Sequence, residues 1–298
     1  MKIALALGTI IASLTACAWA SLPASAPAAS ASAPAAKPVV YPTVDGRKPV
    51  IYLIGDSTVK NGRDDGATGG QWGWGHILHY YFDETKVTVV NDAVGGTSSR
   101  SFYQTASMWP RTLAKLQQGD YVFMQFGHND DTRPPESDTL RYRSTIKSNG
   151  EETVQGPKDA NTMETIHSFG WYERQMIGQA REKKAIPVVC SLIPRNSWGA
   201  GGKANRADTG YAKFAHEAAD QAGAFFLPLN KLIADKYDQL GREKVTADLF
   251  PQGESTHTNW AGARLNAECV AEGIKGLEGC PLKELLKEKP VVPEKADK

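Results

Sequence analysis

What most constrains the fold of this chain is an alternation of short apolar runs with segments of helical periodicity. The runs are Ile51 to Ile54, Lys86 to Asn91, Tyr121 to Phe126, Ala185 to Leu192 and Ala224 to Leu229. Between and after them, helical patterns are expected at Gly73 to Phe82, Thr165 to Lys183, Asp208 to Gln221 and Asn259 to Ile274. Five strands separated by helices imply a parallel sheet covered on both faces, an α/β fold of three α/β/α layers around a central five-stranded sheet. No internal repeat is visible.

The ends of three strands carry chemistry. The first run stops at Gly55-Asp56-Ser57, the second enters Asp92 to Thr97 through Gly95-Gly96, and the third enters Gly127-His128-Asn129-Asp130. If the strands are parallel, these loops open on one edge of the sheet, where ligands of open α/β folds bind. A hydroxyl, a flexible backbone N–H and a side-chain amide then lie close together. Near the C-terminus, Glu254 stands three residues before His257, just ahead of the last helical pattern. Singly these signals are weak. Gly-Asp-Ser also describes a turn that caps a helix, which is how Asp56 reads. Gly96 either offers its N–H or only permits a tight turn, and Asn129 either faces a ligand or caps a helix.

Together and in this order, Gly55-Asp56-Ser57, Gly95-Gly96, Gly127-His128-Asn129-Asp130 and Glu254-x-x-His257 resemble the SGNH (GDSL-like) hydrolase superfamily, of flavodoxin-like fold. Asn91 to Ser101, Gln125 to Asp130, Gly170 to Tyr172 and Thr256 to Thr258 are similar to the rhamnogalacturonan acetylesterases of carbohydrate esterase family twelve. The resemblance spans roughly Pro49 to Ala271. It implies a serine esterase that removes acetyl groups from plant cell-wall polysaccharide, foremost rhamnogalacturonan, through an acetyl-serine intermediate, with no cofactor. In that reading Ser57 is the nucleophile, His257 the base and Glu254 the carboxylate that orients it. The family pattern has Asp at that last position, so the longer Glu254 departs from it. The oxyanion donors are Ser57, Gly96 and Asn129, and His128, Trp72 and Trp260 are expected to contact substrate. The chemistry is coherent: serine needs a base to attack an acyl carbon, and histidine titrates near neutrality. Other readings remain open: an esterase of acetylated xylan or of lipid or aryl esters, or a carbohydrate-binding lipoprotein without catalysis.

Charge and composition exclude other classes. The net charge of +1 over 298 residues gives no basis for a nucleic-acid partner. Gly95 to Arg100 lacks the Gly-Lys-Ser/Thr of a phosphate loop, and no Gly-x-Ser-x-Gly elbow is present. His76 and His79 are one helical turn apart but have no carboxylate or thiolate to complete a metal site, so they read as surface or packing residues.

The N-terminus reads as an export signal over residues 1–20: Met1-Lys2, then an apolar stretch from Ile3 to Ala16 too short for a comfortable span. Two processing sites overlap. Leu14 to Cys17 fits a bacterial lipoprotein box, with a lipid on Cys17 as the chain's one membrane contact, and Ala18 to Ala20 fits ordinary cleavage before Ser21. Either implies export from a bacterial cytoplasm, to the periplasm or cell surface or into the medium. Residues 21–46 are expected to be a disordered tether, its Ala/Ser/Pro-rich part ending at Lys37. Residues 47–282 read as the catalytic domain and 283–298 as a frayed, charged tail. The polar stretch from Asp131 to Asn161 is expected to form a wall or lid beside the site. Cys190 reads as a buried thiol, and after export Cys269 and Cys280 are expected to pair. A monomer is expected.

Overall fold

The computed structural model describes residues 36–62 and 70–295; the signal segment, Cys17 and most of the tether lie outside these. Strands β1 (Val50–Gly55), β2 (Thr88–Asn91), β3 (Tyr121–Gln125), β6 (Ile186–Cys190) and β7 (Phe225–Leu227) form one parallel sheet in the order β2-β1-β3-β6-β7. A two-stranded antiparallel hairpin, β4 (Thr153–Pro157) and β5 (Met163–His167), stands apart from it. The helices are α1 (Ser57–Lys60), α2 (Trp74–Ile77), α3 (Ser99–Gln104), α4 (Trp109–Lys115), α5 (Phe169–Glu182), α6 (Tyr211–Ala222), α7 (Leu229–Leu240), α8 (Arg242–Asp248) and α9 (Trp260–Lys275).

Successive side chains of a strand point to opposite faces, and here both faces are covered. Ile51, Leu53, Phe123 and Val188 join a core completed by α2, α7 and α9, including Ile77, Ile233, Ala267 and Val270. Tyr52, Ile54, Val122, Met124 and Val189 face the other layer, with Phe102, Trp109, Met176 and Ala215 from α3 to α6. This is the expected three-layer α/β/α sandwich. Because β1, β2 and β3 are parallel and adjacent, the loops after Gly55, Asn91 and Gln125 open on one edge.

Several boundaries differ from expectation. The helix expected from Thr165 starts at Phe169 instead, because the Ser168 side chain accepts the Trp171 N–H and caps it, while Met163–His167 pairs as β5. Residues 36–46, assigned to the tether, lie against the domain: the Ala36 N–H donates to the Asp220 carbonyl at 2.8 Å, and Gln118 Nε2 donates to the Pro42 carbonyl. The tail expected to fray instead packs onto the domain. Lys287 N–H reaches the Tyr81 carbonyl, Leu286 bridges to Phe82, and Trp260 Nε1 donates to the Pro293 carbonyl. Its apolar side chains, Leu285, Leu286 and Val292, pack on the core. The expected disulfide is absent: Cys269 and Cys280 are free thiols, each enclosed by the same apolar core, where burial raises them to about 12 and about 11. Cys190 is buried on the sheet as expected.

Candidate active site

Ser57 is the first residue of α1, separated from the end of β1 by Asp56 alone. The chain turns there because Gly55 adopts a φ of 157° and lets two backbones approach: a Cβ at that position would lie 2.6 Å from the Gln125 carbonyl oxygen and 2.7 Å from Val59 Cγ2. Asp56 caps the turn, its Oδ1 accepting the Thr58 N–H at 2.8 Å and the Thr58 hydroxyl at 2.7 Å. Burial raises the Asp56 carboxyl to about 6 against the pull of those bonds. Capping, as read from the sequence, is its structural place.

The Ser57 hydroxyl meets His257 Nε2 at 2.8 Å, and His257 Nδ1 meets Glu254 Oε2 at 3.0 Å. The extra methylene of Glu254 is absorbed by curling the carboxylate back over its own loop, where Oε1 accepts the N–H groups of Ser255 and Thr256, each at 2.8 Å. Oε2 also accepts from Gln71 Nε2 at 3.0 Å, and Gln71 in turn accepts from Asn61 beyond α1. Partial burial works to raise this carboxyl, but the imidazole and the two backbone donors outweigh it and hold Glu254 near 2. It stays ionised throughout the range in which histidine titrates.

Asn129 Nδ2 donates to the Thr97 carbonyl at 2.9 Å, which engages one of its two amide hydrogens. Gly96 has a φ of 79°, a left-handed backbone that suits glycine, and its carbonyl accepts from Arg143 Nη1 at 2.6 Å. Asp130 ties these loops together beneath the site, accepting the Ser99 N–H and hydroxyl and the Gly127 N–H, while burial raises it to about 7. Ser57, Gly96, Asn129 and His257 line one cavity of about 710 Å³, which also receives Lys60, Gln71, His76, Asn91 and Arg141. A hydroxyl aligned on an imidazole, an imidazole aligned on a carboxylate, and an amide donor at the same cavity suffice for attack on an ester carbonyl.

Three expected substrate contacts lie elsewhere. Trp72 is buried, and its backbone grips the residue after His257: the Trp72 N–H donates to the Thr258 carbonyl at 2.7 Å, and the Thr258 hydroxyl donates back to the Trp72 carbonyl at 2.9 Å. Its ring packs edge-on against Trp260, centroids 4.8 Å apart. Trp260 is therefore part of the same support and turns toward the C-terminal segment. His128 is buried with both ring nitrogens unpartnered, and burial lowers it to about 3, so the ring is neutral. It lines a separate cavity of about 180 Å³ with Arg195 and Asn230.

Sequence reasoning missed Gln71, Lys60, Arg141 and Arg143, and read His76 as a surface or packing residue. His76 reaches the cavity from α2 with its ring against Trp72. Arg141 and Arg143 come from the long polar stretch, on a loop built by Asp138. The Asp138 carboxylate accepts the N–H groups of Arg141, Arg143 and Ser144 and the Ser144 hydroxyl. Burial opposes ionisation of Asp138, but these donors prevail and hold it near 2. Four bonds to one side chain would be the signal, and sequence does not announce them. Arg100, fully buried on α3, fixes this stretch to the fold through the carbonyls of Ser144 and Pro157 and an ion pair with Glu164 at 2.6 Å.

Residues 53–265 match the GDSL-like lipase/acylhydrolase family. The chain belongs to that family. It is 29% identical over 224 residues to a rhamnogalacturonan acetylesterase of Emericella nidulans, covering 75% of this chain and 84% of the relative. A probable rhamnogalacturonan acetylesterase of Bacillus subtilis is 31% identical over 244 residues, covering 80% and 98%. Among solved structures, the Bacillus subtilis protein YXIM superposes with a TM-score of 0.62 at 25% identity, over 78% of this chain and 58% of its own length. The GDSL-family chain thus spans somewhat more than half of that structure. It is a carboxylic ester hydrolase of SGNH type.

Proposed function

We propose that the protein is an acetyl esterase of plant cell-wall polysaccharide, with acetylated rhamnogalacturonan as its substrate. The observation that carries the reading is the relay from Ser57 through His257 to Glu254 at one cavity, at 2.8 and 3.0 Å. Similarity to a rhamnogalacturonan acetylesterase and to a probable one supports the choice of polymer.

In this mechanism His257 Nε2 takes the Ser57 proton as Oγ attacks the acetyl carbon. The resulting oxyanion is met by the backbone N–H groups of Ser57 and Gly96 and by the free amide hydrogen of Asn129. Glu254 fixes the tautomer of His257 and stabilises its imidazolium. Collapse breaks the ester bond, and His257 returns the proton to the departing sugar oxygen, leaving an acetyl-serine. Water then enters, gives its proton to His257 and attacks the acyl carbon; acetate leaves and Ser57 recovers its proton.

The assembled relay argues against a binding protein without catalysis. We also propose export, with Cys17 as the lipidated N-terminal residue, on the sequence pattern of residues 1–20. Acetate release should be compared across acetylated rhamnogalacturonan, acetylated xylan and a long-chain acyl ester. The reading expects the first to be hydrolysed with the highest kcat/KM; preference for the xylan or the long-chain ester would overturn the choice of substrate.

A further inference from the structure

Among the described residues, the cavity over Ser57 is lined by charge of one sign. Lys60 and Arg141 line it, and no Asp or Glu does so among the described residues. Glu254 sits behind the imidazole with its two oxygens committed to His257, Gln71 and the backbone.

The loop that delivers Arg141 is built for presentation. Asp138 holds the backbone N–H groups of Arg141 and Arg143, and Tyr142 between them adopts a φ of 52°, a left-handed conformation that non-glycine residues hold only when their surroundings impose it. Both guanidinium groups arrive beside Gly96: a Cβ there would lie 3.7 Å from Arg143 Nη1 and 3.9 Å from Arg141 Nη1. They differ in occupation. Arg143 is buried and donates to the Gly96 carbonyl. Arg141 is exposed and, among the described residues, its guanidinium has neither hydrogen bond nor ion pair. Lys60, the last residue of α1, makes a single long contact of 3.4 Å to the Asn91 carbonyl. An unengaged planar guanidinium next to the proposed oxyanion donors matches the fork of a carboxylate, and a second cation at the same cavity adds to the attraction.

We propose that Arg141, assisted by Lys60, binds a carboxylate on the sugar that bears the acetyl ester or on its neighbour, so that the enzyme selects acetylated saccharides containing uronic acid over neutral ones. This rests on the acetyl esterase reading above. It goes beyond that reading by assigning the discrimination to two residues and to one charge on the substrate.

The experiment uses one acetylated galacturonate oligosaccharide in two forms, with free carboxylates and with those carboxylates methyl-esterified, and the wild type, Arg141→Gln and Arg141→Glu, each checked for native circular dichroism. The quantity read is the ratio of kcat/KM for the free acid to that for the methyl ester. Because Arg141 is exposed, its charge-assisted hydrogen bonds should give a wild-type ratio of about tenfold, the lower end of their range. The ratio should approach unity in Arg141→Gln and fall below unity in Arg141→Glu, and Lys60→Gln should lower it in part. High salt should reduce it in the wild type. A wild-type ratio near unity with brisk acetate release from both forms would overturn the carboxylate site and leave the esterase reading standing, as would a ratio unchanged in both Arg141 variants. Release of acetate from neither form, nor from an activated aryl acetate, would bring down both readings.

Discussion

The loop after β1 and the loop from Asp131 to Ser144 border the same cavity but are held by different means. Ser57 is placed by the sheet: β1 is paired on both sides, Gly55 permits a close backbone approach, and Asp56 caps the short helix that follows. Arg141 and Arg143 are placed without regular structure, by the Asp138 carboxylate and by the Arg100 anchor on Ser144. The contrast suggests a division of labour. The nucleophile sits where the sheet fixes it, and groups that recognise or brace sit on a loop that can change without disturbing the sheet.

Substitutions on the two sides should separate the roles. On the sheet side, Asn129→Ala removes an oxyanion donor and should lower kcat by about a hundred- to a thousand-fold with the fold retained, read by steady-state acetate release. Glu254→Gln keeps the shape of the side chain but offers the imidazole the wrong partner. It should lower kcat on the order of ten- to a thousand-fold, less than the loss typical of serine proteases because a glutamate curled over its own loop has other donors to satisfy. A Gln variant as active as wild type would reduce the relay to Ser57 and His257. On the loop side, Arg143→Met leaves the Gly96 carbonyl unpaired. It should lower kcat by roughly tenfold with little change in KM, as expected when a donor is displaced rather than removed. A change confined to KM would instead place Arg143 with substrate binding.

The smallest effect concerns stability. Asp138 titrates at about 2 in the folded protein, below its ordinary value of 3.8, so the protons it binds favour unfolding. Its contribution is present above about pH 4 and is lost as pH falls through about 2. The Tm of Asp138→Asn should therefore lie a few degrees below wild type near pH 6, with the gap narrowing toward pH 2. A gap that stays constant over this range would show that the loop does not depend on the Asp138 charge.

The same contrast explains what the sequence revealed. All five sheet strands were legible: β1, β3, β6 and β7 are largely buried and read as apolar runs, while the half-buried edge strand β2 shows through its valines, and the strands end in recognisable loops. Ser57, Gly96, Asn129, Glu254 and His257 were legible because they occupy those loops or the approach to a helix. The hairpin of β4 and β5 was not, since exposed residues such as Thr153, Gln155, Met163 and Thr165 give it no apolar run. Nor were Arg141 and Arg143, whose positions depend on hydrogen bonds from a single carboxylate. Trp72 and Trp260 misled for the opposite reason. Tryptophan beside a motif suggests a sugar platform, but an aromatic pair next to the catalytic loop can equally be its foundation, and here the two rings pack on each other.

The acyl-serine mechanism stands or falls on the Ser57 hydroxyl. Acetate release from acetylated rhamnogalacturonan should be measured for the wild type and for Ser57→Ala with matching circular dichroism and Tm. The expected result is a fall in kcat of about four to six orders of magnitude, since the members of a nucleophile and base unit act together. Turnover within tenfold of wild type by the folded Ser57→Ala protein would contradict it.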